Sequence, residues 1–476
     1  MMAILVLLTV FFALIGVPVF SVLGSANLNG FFSPDILAIV LFTLKQAVLS
    51  LFFSLLVGIP LGFWIYKKGS LESHRRLLLL YSMPTLTVAL AVSLTFKSYG
   101  LTSVIFAHAW MNSPWIALRF AEGLEQFPET RRLAARSLGA SRWEVFQTFE
   151  WPFLQSRIFL ASAQVFSVCV MSFTLVLLLG GGPPIQTLET EIYSSIKIGD
   201  PDFGRASIFA IWQLVLTSIP AGIAFFISFR EEHETVRLPR ARDPKSRLDW
   251  LTPLFFLPFL ALIFSMDGTS FLGAFEPEAY SAFLVSLQIA LSVAFGVVVF
   301  SGAVSIVARK RRWISVLFQI PGGISTLVLG LGFWLAYARW LDPFDGSRVA
   351  IILIQTTLIL PLGVRTLWPL VKEKNHSALD AARTMGANRR QAWLLVEWPR
   401  WKPTVQSLIF ISIIWSMGEL AAVSLFSSEN LITLPVLISR WMGQYRFDQA
   451  IGINLVLGGL AWMLLRFEGR SRGNHV

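Results

Sequence analysis

Runs of about twenty apolar residues, each long enough to cross the hydrocarbon core of a bilayer as a helix, follow one another along this 476-residue chain. Nothing constrains its fold more, because backbone in lipid must satisfy its own hydrogen bonds. Candidate spans lie at 2–24, 36–66, 77–96, 101–118, 157–180 and 207–229. A second set lies at 249–265, 283–308, 314–338, 349–370, 405–426 and 447–465. Charged residues make up 14% of the chain and hydrophobic ones 55%, whereas soluble domains carry roughly 25% charged residues. A water-soluble enzyme, a disordered chain and a fibrous repeat are excluded on that ground. The expected fold class is all-α integral membrane, with about 12 transmembrane helices. Residues 2–24 lack a basic stretch before a long apolar run, so they read as an uncleaved first span rather than a secretory signal.

The net charge of +11 would raise nucleic acid as a partner in a soluble protein. Here its distribution gives it another meaning. Of 39 Lys and Arg residues, 31 fall in segments 67–76, 119–158, 230–247, 309–312, 365–402 and 466–476. Seven lie in the alternate loops, and Lys45 lies within a span as a snorkelling or interhelical side chain. The asymmetry predicts cytoplasmic placement of the basic loops and of both termini, with the lipid bilayer as partner and no nucleic acid. The stretch 230–250, REEHETVRLPRARDPKSRLDW, is the one long charged segment with prolines between spans. It divides the chain into a first half at 1–230, a cytoplasmic linker at 231–248 and a second half at 249–476.

The halves repeat one another. LAARSLGASRWEVFQTFEWP at 133–152 aligns without gaps, at an offset of 247, with DAARTMGANRRQAWLLVEWP at 380–399. The match extends outward to Thr43-Leu44-Lys45-Gln46 against Ser286-Leu287-Gln288-Ile289, and Pro84 and Pro321 each open a small-residue-rich span. The strongest similarity therefore falls in polar loops between the fourth and fifth spans of two six-span bundles. Ala134-Ala135 and Ala381-Ala382 offer little bulk to an approaching surface. Gly139 and Gly386 permit a bend or a helix end. Arg136, Arg142, Arg383 and Arg389 supply charge for an acidic or polar partner, and Pro152 and Pro399 are expected to open the next membrane helix. Two matched docking loops suit a partner that is itself a two-fold dimer.

These loops resemble the EAA loops of binding-protein-dependent ABC importer permeases: Glu-Ala-Ala, three residues, Gly, then nine residues to an apolar-x-apolar-Pro ending. The second copy has Asp380 in place of Glu, and the first has Leu133, where a polar contact is expected to be lost. The resemblance implies that each loop forms a coupling helix docked in a groove of a cytoplasmic ATPase, two ATPase subunits in all. It assigns transmission of ATP-driven closure to Ala134, Ala135, Gly139, Ala381, Ala382 and Gly386. It also implies a periplasmic or tethered substrate-binding protein and residence in the bacterial inner membrane. Fusion of both halves in one chain resembles the iron(III) and thiamine importer group. AHAWMNSP at 107–114, LLGGGPPIQTLETEIYS at 178–194 and WSMGELAAVSLFSSENLITLP at 415–435 bring it nearest to the thiamine permeases. Thiamine is the favoured cargo by that resemblance, with iron(III) or another small solute as the alternative.

No G-x-x-x-x-G-K-[ST] phosphate loop occurs, so ATP hydrolysis is expected on a partner chain. Gly180-Gly181-Gly182-Pro183-Pro184 has no lysine after it and is expected to break the fifth helix. His108 lies in an apolar span and His376 in a coupling loop; His233 and His475 fall in linker and tail. No metal-ligand spacing emerges, and no cofactor is called for. The lone Cys169 reads as a small buried hydrophobe. Aromatic residues are abundant, and belts and packing account for them. Glu419 lies inside a span, with Ser172 at the same place in the first half. It either lines the translocation route and helps a cationic substrate pass, or makes a helix–helix or gating hydrogen bond. An ion-gradient carrier would also show duplicated halves, but would need coupling-ion sites and has no use for paired docking loops.

Overall fold

The computed structural model describes residues 2–27, 30–182, 185–231, 251–265, 276–309, 311, 313–340, 347–372, 376–429 and 431–473. Their regular structure is helical, apart from an isolated bridge between Ser428 and Leu431. The first half runs α1 (Met2–Ser25), α2 (Pro34–Lys68), α3 (Leu71–Tyr81), α4 (Thr85–Phe96), α5 (Leu101–Gln126), α6 (Glu129–Ser137), α7 (Arg142–Val170), α8 (Thr174–Leu179), α9 (Leu188–Lys197) and α10 (Phe203–Glu231). The second opens with two short helices, α11 (Leu251–Leu254) and α12 (Leu257–Phe264). It then repeats the order as α13 (Pro277–Ala308), α14 (Trp313–Gly323), α15 (Thr326–Tyr337), α16 (Arg348–Lys372), α17 (His376–Thr384), α18 (389–417), α19 (Ala421–Phe426), α20 (Leu434–Gly443) and α21 (Phe447–Gly473). From α2 onward, each helix recurs eleven places later. The linker expected at 231–248 lies, beyond Glu231, outside the described residues.

The all-α membrane class holds, but several expected spans take another form. Among the described residues seven helices are long and apolar enough to cross a membrane, or nine if each of two bent pairs is one span. Span 77–96 is one of those pairs: α3 and α4 meet at 91°, and α14 meets α15 at 99° where span 314–338 was expected. Proline explains the first bend. Pro84 has no N–H to continue a helix and steers Met83 away from helical dihedrals, so the chain turns at 82–84. The Pro321-Gly322-Gly323 stretch ends α14 in a 3₁₀ turn before α15. Spans 157–180 and 405–426 are interrupted at 171–173 and 418–420, and 249–265 divides into α11 and α12. The 101–118 span belongs to the longer α5. Pro152 and Pro399 do not open helices: α7 is already helical from Arg142 and α18 from Arg389. Each proline follows a wide π turn, Phe146–Glu150 or Trp393–Glu397, which rearranges the hydrogen-bond ladder where the proline has no N–H to give.

Packing within the first half relies on close backbone approach. Gly58 and Gly62, four residues apart on α2, face α5; a Cβ on them would lie 2.7 Å from Ile116 Cβ and 2.8 Å from the Ala117 carbonyl oxygen. Small residues at this spacing let membrane helices touch along their backbones. Between halves the exchange is reciprocal. α1 packs on α15 of the second half, and α12 packs on α4 of the first. One core joins Val22, Ile192 and Phe209 to Leu327, Leu331 and Phe426. The other joins Leu86, Leu90 and Val176 to Leu262, Leu437 and Ile453. Both main cores are thus shared across the halves, and the bent pairs sit inside them.

Candidate functional site

The repeated loops fold as two helical hairpins. α6 ends in a Schellman turn: Ala140 N donates to Ala135 O at 3.1 Å and Gly139 N to Arg136 O at 2.9 Å. In the second copy Ala387 N donates to Ala382 O at 3.0 Å and Gly386 N to Arg383 O at 2.9 Å. This turn needs a left-handed residue, and Gly139 and Gly386 supply it with φ of 89° and 91°. Helix restarts at once. Ser141 Oγ accepts from Glu144 N while Glu144 Oε2 accepts from Ser141 N at 2.7 Å. Asn388 and Gln391 make the same reciprocal pair, so both restarts are capping boxes.

The adjacent alanines divide their work. Ala134 and Ala381 are exposed, while Ala135 and Ala382 turn inward and are 7% exposed. Arg136, Gly139, Pro152, Asp380, Arg383, Gly386 and Pro399 are all exposed. Asp380 and Arg383 form a surface pair at 3.7 Å. What the sequence reading missed stands at each tip. Leu138 is 90% exposed and Met385 81% exposed, 247 residues apart, one immediately before each left-handed glycine. Alignment pairs these two residues, and a large apolar side chain beside a helix-ending glycine is the signal that would have found them.

Behind the tips, the two hairpins are fastened differently. In the first, the guanidinium of Arg132 is nearly buried and meets Glu150 Oε1 and Glu129 Oε2, each at 2.6 Å. Burial works against its charge, but the Glu150 hydrogen bond and the surrounding Tyr66 and Glu129 outweigh that and hold the proton more firmly than usual. The second hairpin has Leu379 at this place, packed with Ala382 and Ala392. Glu397, the partner of Glu150 in the repeat, faces Arg400 at 3.8 Å instead.

Deeper in the bundle, Thr43 and Ser286 play one part twice. Thr43 Oγ1 accepts from Leu188 N at 3.1 Å and Ser286 Oγ from Leu434 N at 2.8 Å, so each pins the start of a short helix, α9 or α20, against the long α2 or α13. Glu419 lies in the break between α18 and α19, partly exposed, and behaves as a cap. Its Oε1 accepts from Ala421 N at 2.9 Å, its Oε2 from Ala422 N at 3.0 Å, and Gln355 Nε2 approaches at 3.5 Å. Ser172, also partly exposed, occupies the matching break without a side-chain cap on α8. His108 is fully buried, with Gln46 Nε2 at 2.8 Å and Ser50 Oγ at 3.1 Å from its Nδ1. Cys169 is buried and receives Asn112 Nδ2 at 3.7 Å. His233 and His475 lie outside the described residues. Across the halves, Gly418 lies so close to Pro84 that a Cβ would be 2.8 Å from the proline ring. Glu189, also passed over in the sequence, is 1% exposed and receives Gln213 Nε2 at 2.8 Å. Nothing local marks it, since its importance depends on what the other half brings to it.

Residues 54–230 and 250–466 match the family described as binding-protein-dependent transport system inner membrane component. Similarity to individual proteins runs nearly end to end. The thiamine transport system permease protein ThiP of Brucella abortus is 27% identical over 474 residues, covering 90% of this chain and 87% of that one. ThiP of Escherichia coli is 26% identical, with 83% and 77% covered, and ThiP of Haemophilus influenzae 24% identical, with 94% and 91% covered.

Proposed function

The chain belongs to the family of binding-protein-dependent transport system inner membrane components, and on that premise we propose that it is the fused permease of an ATP-driven thiamine importer. The observation that carries this reading is the pair of hairpins, alike in backbone and each ending in an exposed apolar tip, Leu138 or Met385. Two equal knobs 247 residues apart fit two equal sockets, as a dimer of ATPase subunits would offer. Ala134, Arg136, Ala381 and Arg383 flank the tips, and Asp380 adds a charge that the first hairpin lacks. A substrate-binding protein delivers cargo on the opposite face, and the excess of basic residues in the hairpin-bearing loops supports a cytoplasmic position for hairpins and termini. Closure of the ATPase dimer moves the hairpins, and α7 and α18, each continuous from its hairpin into the bundle, transmit the motion as rigid levers. Thiamine as cargo is supported by the similarity to the ThiP permeases over most of the chain.

The test has two readouts. Cells with and without the chain are compared for uptake of labelled thiamine, with labelled iron(III) in parallel; selective loss of thiamine uptake is the expected result, and unchanged thiamine uptake in cells with no second route discards the cargo. The tagged chain should copurify an ATPase, and Leu138→Asp with Met385→Asp should abolish that capture while leaving membrane insertion intact. Retained capture would remove the tips from the interface.

A further inference from the structure

The hairpins leave unexplained a group of polar side chains buried where the halves meet. Glu189 is the second residue of α9. The start of α9 is pinned to Thr43, nine residues into α2, or ~14 Å along that helix at its usual rise. The acid is therefore set below the outer ends of the spans. α9 packs on α15 and on α19, both of the other half, and α15 is capped there by Ser325, whose Oγ accepts from Val328 N at 3.1 Å. Glu419, also of the other half, caps the start of that same α19. Gln213, fully buried on α10, donates its Nε2 to Glu189 Oε1 at 2.8 Å, but its Oε1 has no partner. Since both atoms belong to one amide, the unpaired acceptor is held at the acid.

The group is thus two carboxyls and an orphaned amide oxygen, and among the described residues neither acid forms an ion pair with a lysine or arginine. Acceptors gathered at a buried seam with no cation beside them are costly, and a ligand that brings positive charge relieves them. The repeat does not duplicate the arrangement: in the alignment of the halves Glu189 corresponds to Pro435 or Val436, Gln213 to Leu457 counted from the starts of α10 and α21, and Glu419 to Ser172. Among the described residues there is one such group, with one acid from each half.

We infer that Glu189 and Glu419 form a single inter-half site for an organic cation, the positively charged ring of the cargo. The inference rests on the thiamine reading above and deepens it. In the packing described here α9, with Glu189 in its first turn, is shut against α15 and α19, so the site opens only when the halves part. Glu419, partly exposed and braced by the α19 amides, is the acid met first. Glu189 becomes available as the packing of α9 across the halves opens, so the cargo's charge is received in the conformation that admits the cargo.

The experiment uses the complete transporter in proteoliposomes and compares labelled thiamine with a neutral isostere whose charged ring nitrogen is replaced by carbon. Glu189→Gln and Glu419→Gln keep shape and most hydrogen bonds. Each is expected to raise KM for thiamine about tenfold, leave uptake of the neutral isostere within twofold of wild type, and leave kcat unchanged. Glu189→Asp, which restores the charge, should recover most of the loss. An equal fall in uptake of both compounds, or a loss confined to kcat, would show that the acids only brace helices and would overturn the site. Unchanged thiamine kinetics in both variants would overturn it as well. If the wild-type transporter moves neither compound, the cargo reading fails and this site fails with it, an outcome distinct from the others.

Discussion

The two hairpins share a backbone and differ in what holds it down. Each follows the same course: a short helix, a left-handed glycine, a capping box, a π turn and a Glu-Trp-Pro lead into the long helix. Yet the glutamate at the base takes its arginine from opposite sides. Glu150 is met by Arg132 from the hairpin, and the span beyond carries Phe153. Glu397 is met by Arg400 from the span, and the hairpin contributes Leu379 to an apolar cluster. Cation and hydrophobe have changed places across 247 residues. The backbone route is what the repeat preserves, while the fastening is free to vary so long as the glutamate is answered. A single gene coding for a symmetric dimer could not vary this way; two halves in one chain can.

That comparison can be broken at several points. The largest effect is expected from Arg132→Leu, which leaves Glu150 and Glu129 without their cation. Stranding one partner of a buried pair costs about 3–5 kcal/mol. Hydrogen exchange should show residues 129–150 losing protection while 376–397, in the same molecule, keep theirs. Adding Phe153→Arg rebuilds the first hairpin on the second's plan and should recover most of the loss; failure to recover would mean the two fastenings are not interchangeable. Leu379→Ala should cost about 2–3 kcal/mol by opening a cavity beside Ala382 and Ala392, again read as exchange confined to its own hairpin. Ser141→Ala and Asn388→Ala should cost about 1 kcal/mol each and alike, because the caps match. Acid gives the finest distinction. Glu144 completes the first capping box as a carboxylate, held below the usual range by its hydrogen bonds to Ser141. Its contribution is present above the ordinary glutamate range and is lost as pH falls through the lowered value. The second box uses Gln391, which does not titrate, so protection should fall below about pH 4 in the first hairpin alone.

Much of this was legible in the sequence. Apolar runs and their basic flanks give the class, and the Ala-Ala-Arg and Glu-Trp-Pro identities find the hairpins. The Thr43 and Ser286 match, noticed only as similarity, turns out to mark two equivalent pins. Other features resist reading for physical reasons. Hydropathy sums composition over a window and is blind to direction, so the bends near Pro84 and Pro321 were folded into straight spans. Adjacent alanines are about 100° apart on a helix, so Ala134 and Ala135 could not both face a partner, and that much a helical wheel would have disclosed. The partner of Glu150 was hidden because the repeat does not keep it. Glu189 was hidden because the helices packed around its own, α15 and α19, lie in the other half of the chain.

The reciprocal packing of α1 on α15 and of α12 on α4 bears on how such a chain is made. During synthesis α1 enters the bilayer roughly three hundred residues before its partner exists, and until then its only neighbours are lipid and its own half. Neither half can complete its core alone, which makes the fold a fused domain swap: each half lends the other its first helix. A chain cut within 231–248 should therefore still assemble from two pieces, since every lending contact survives the cut, but its assembly would depend on how much of each piece the membrane holds. Covalent fusion replaces that dependence with a fixed effective concentration and a guaranteed one-to-one ratio of two halves no longer identical.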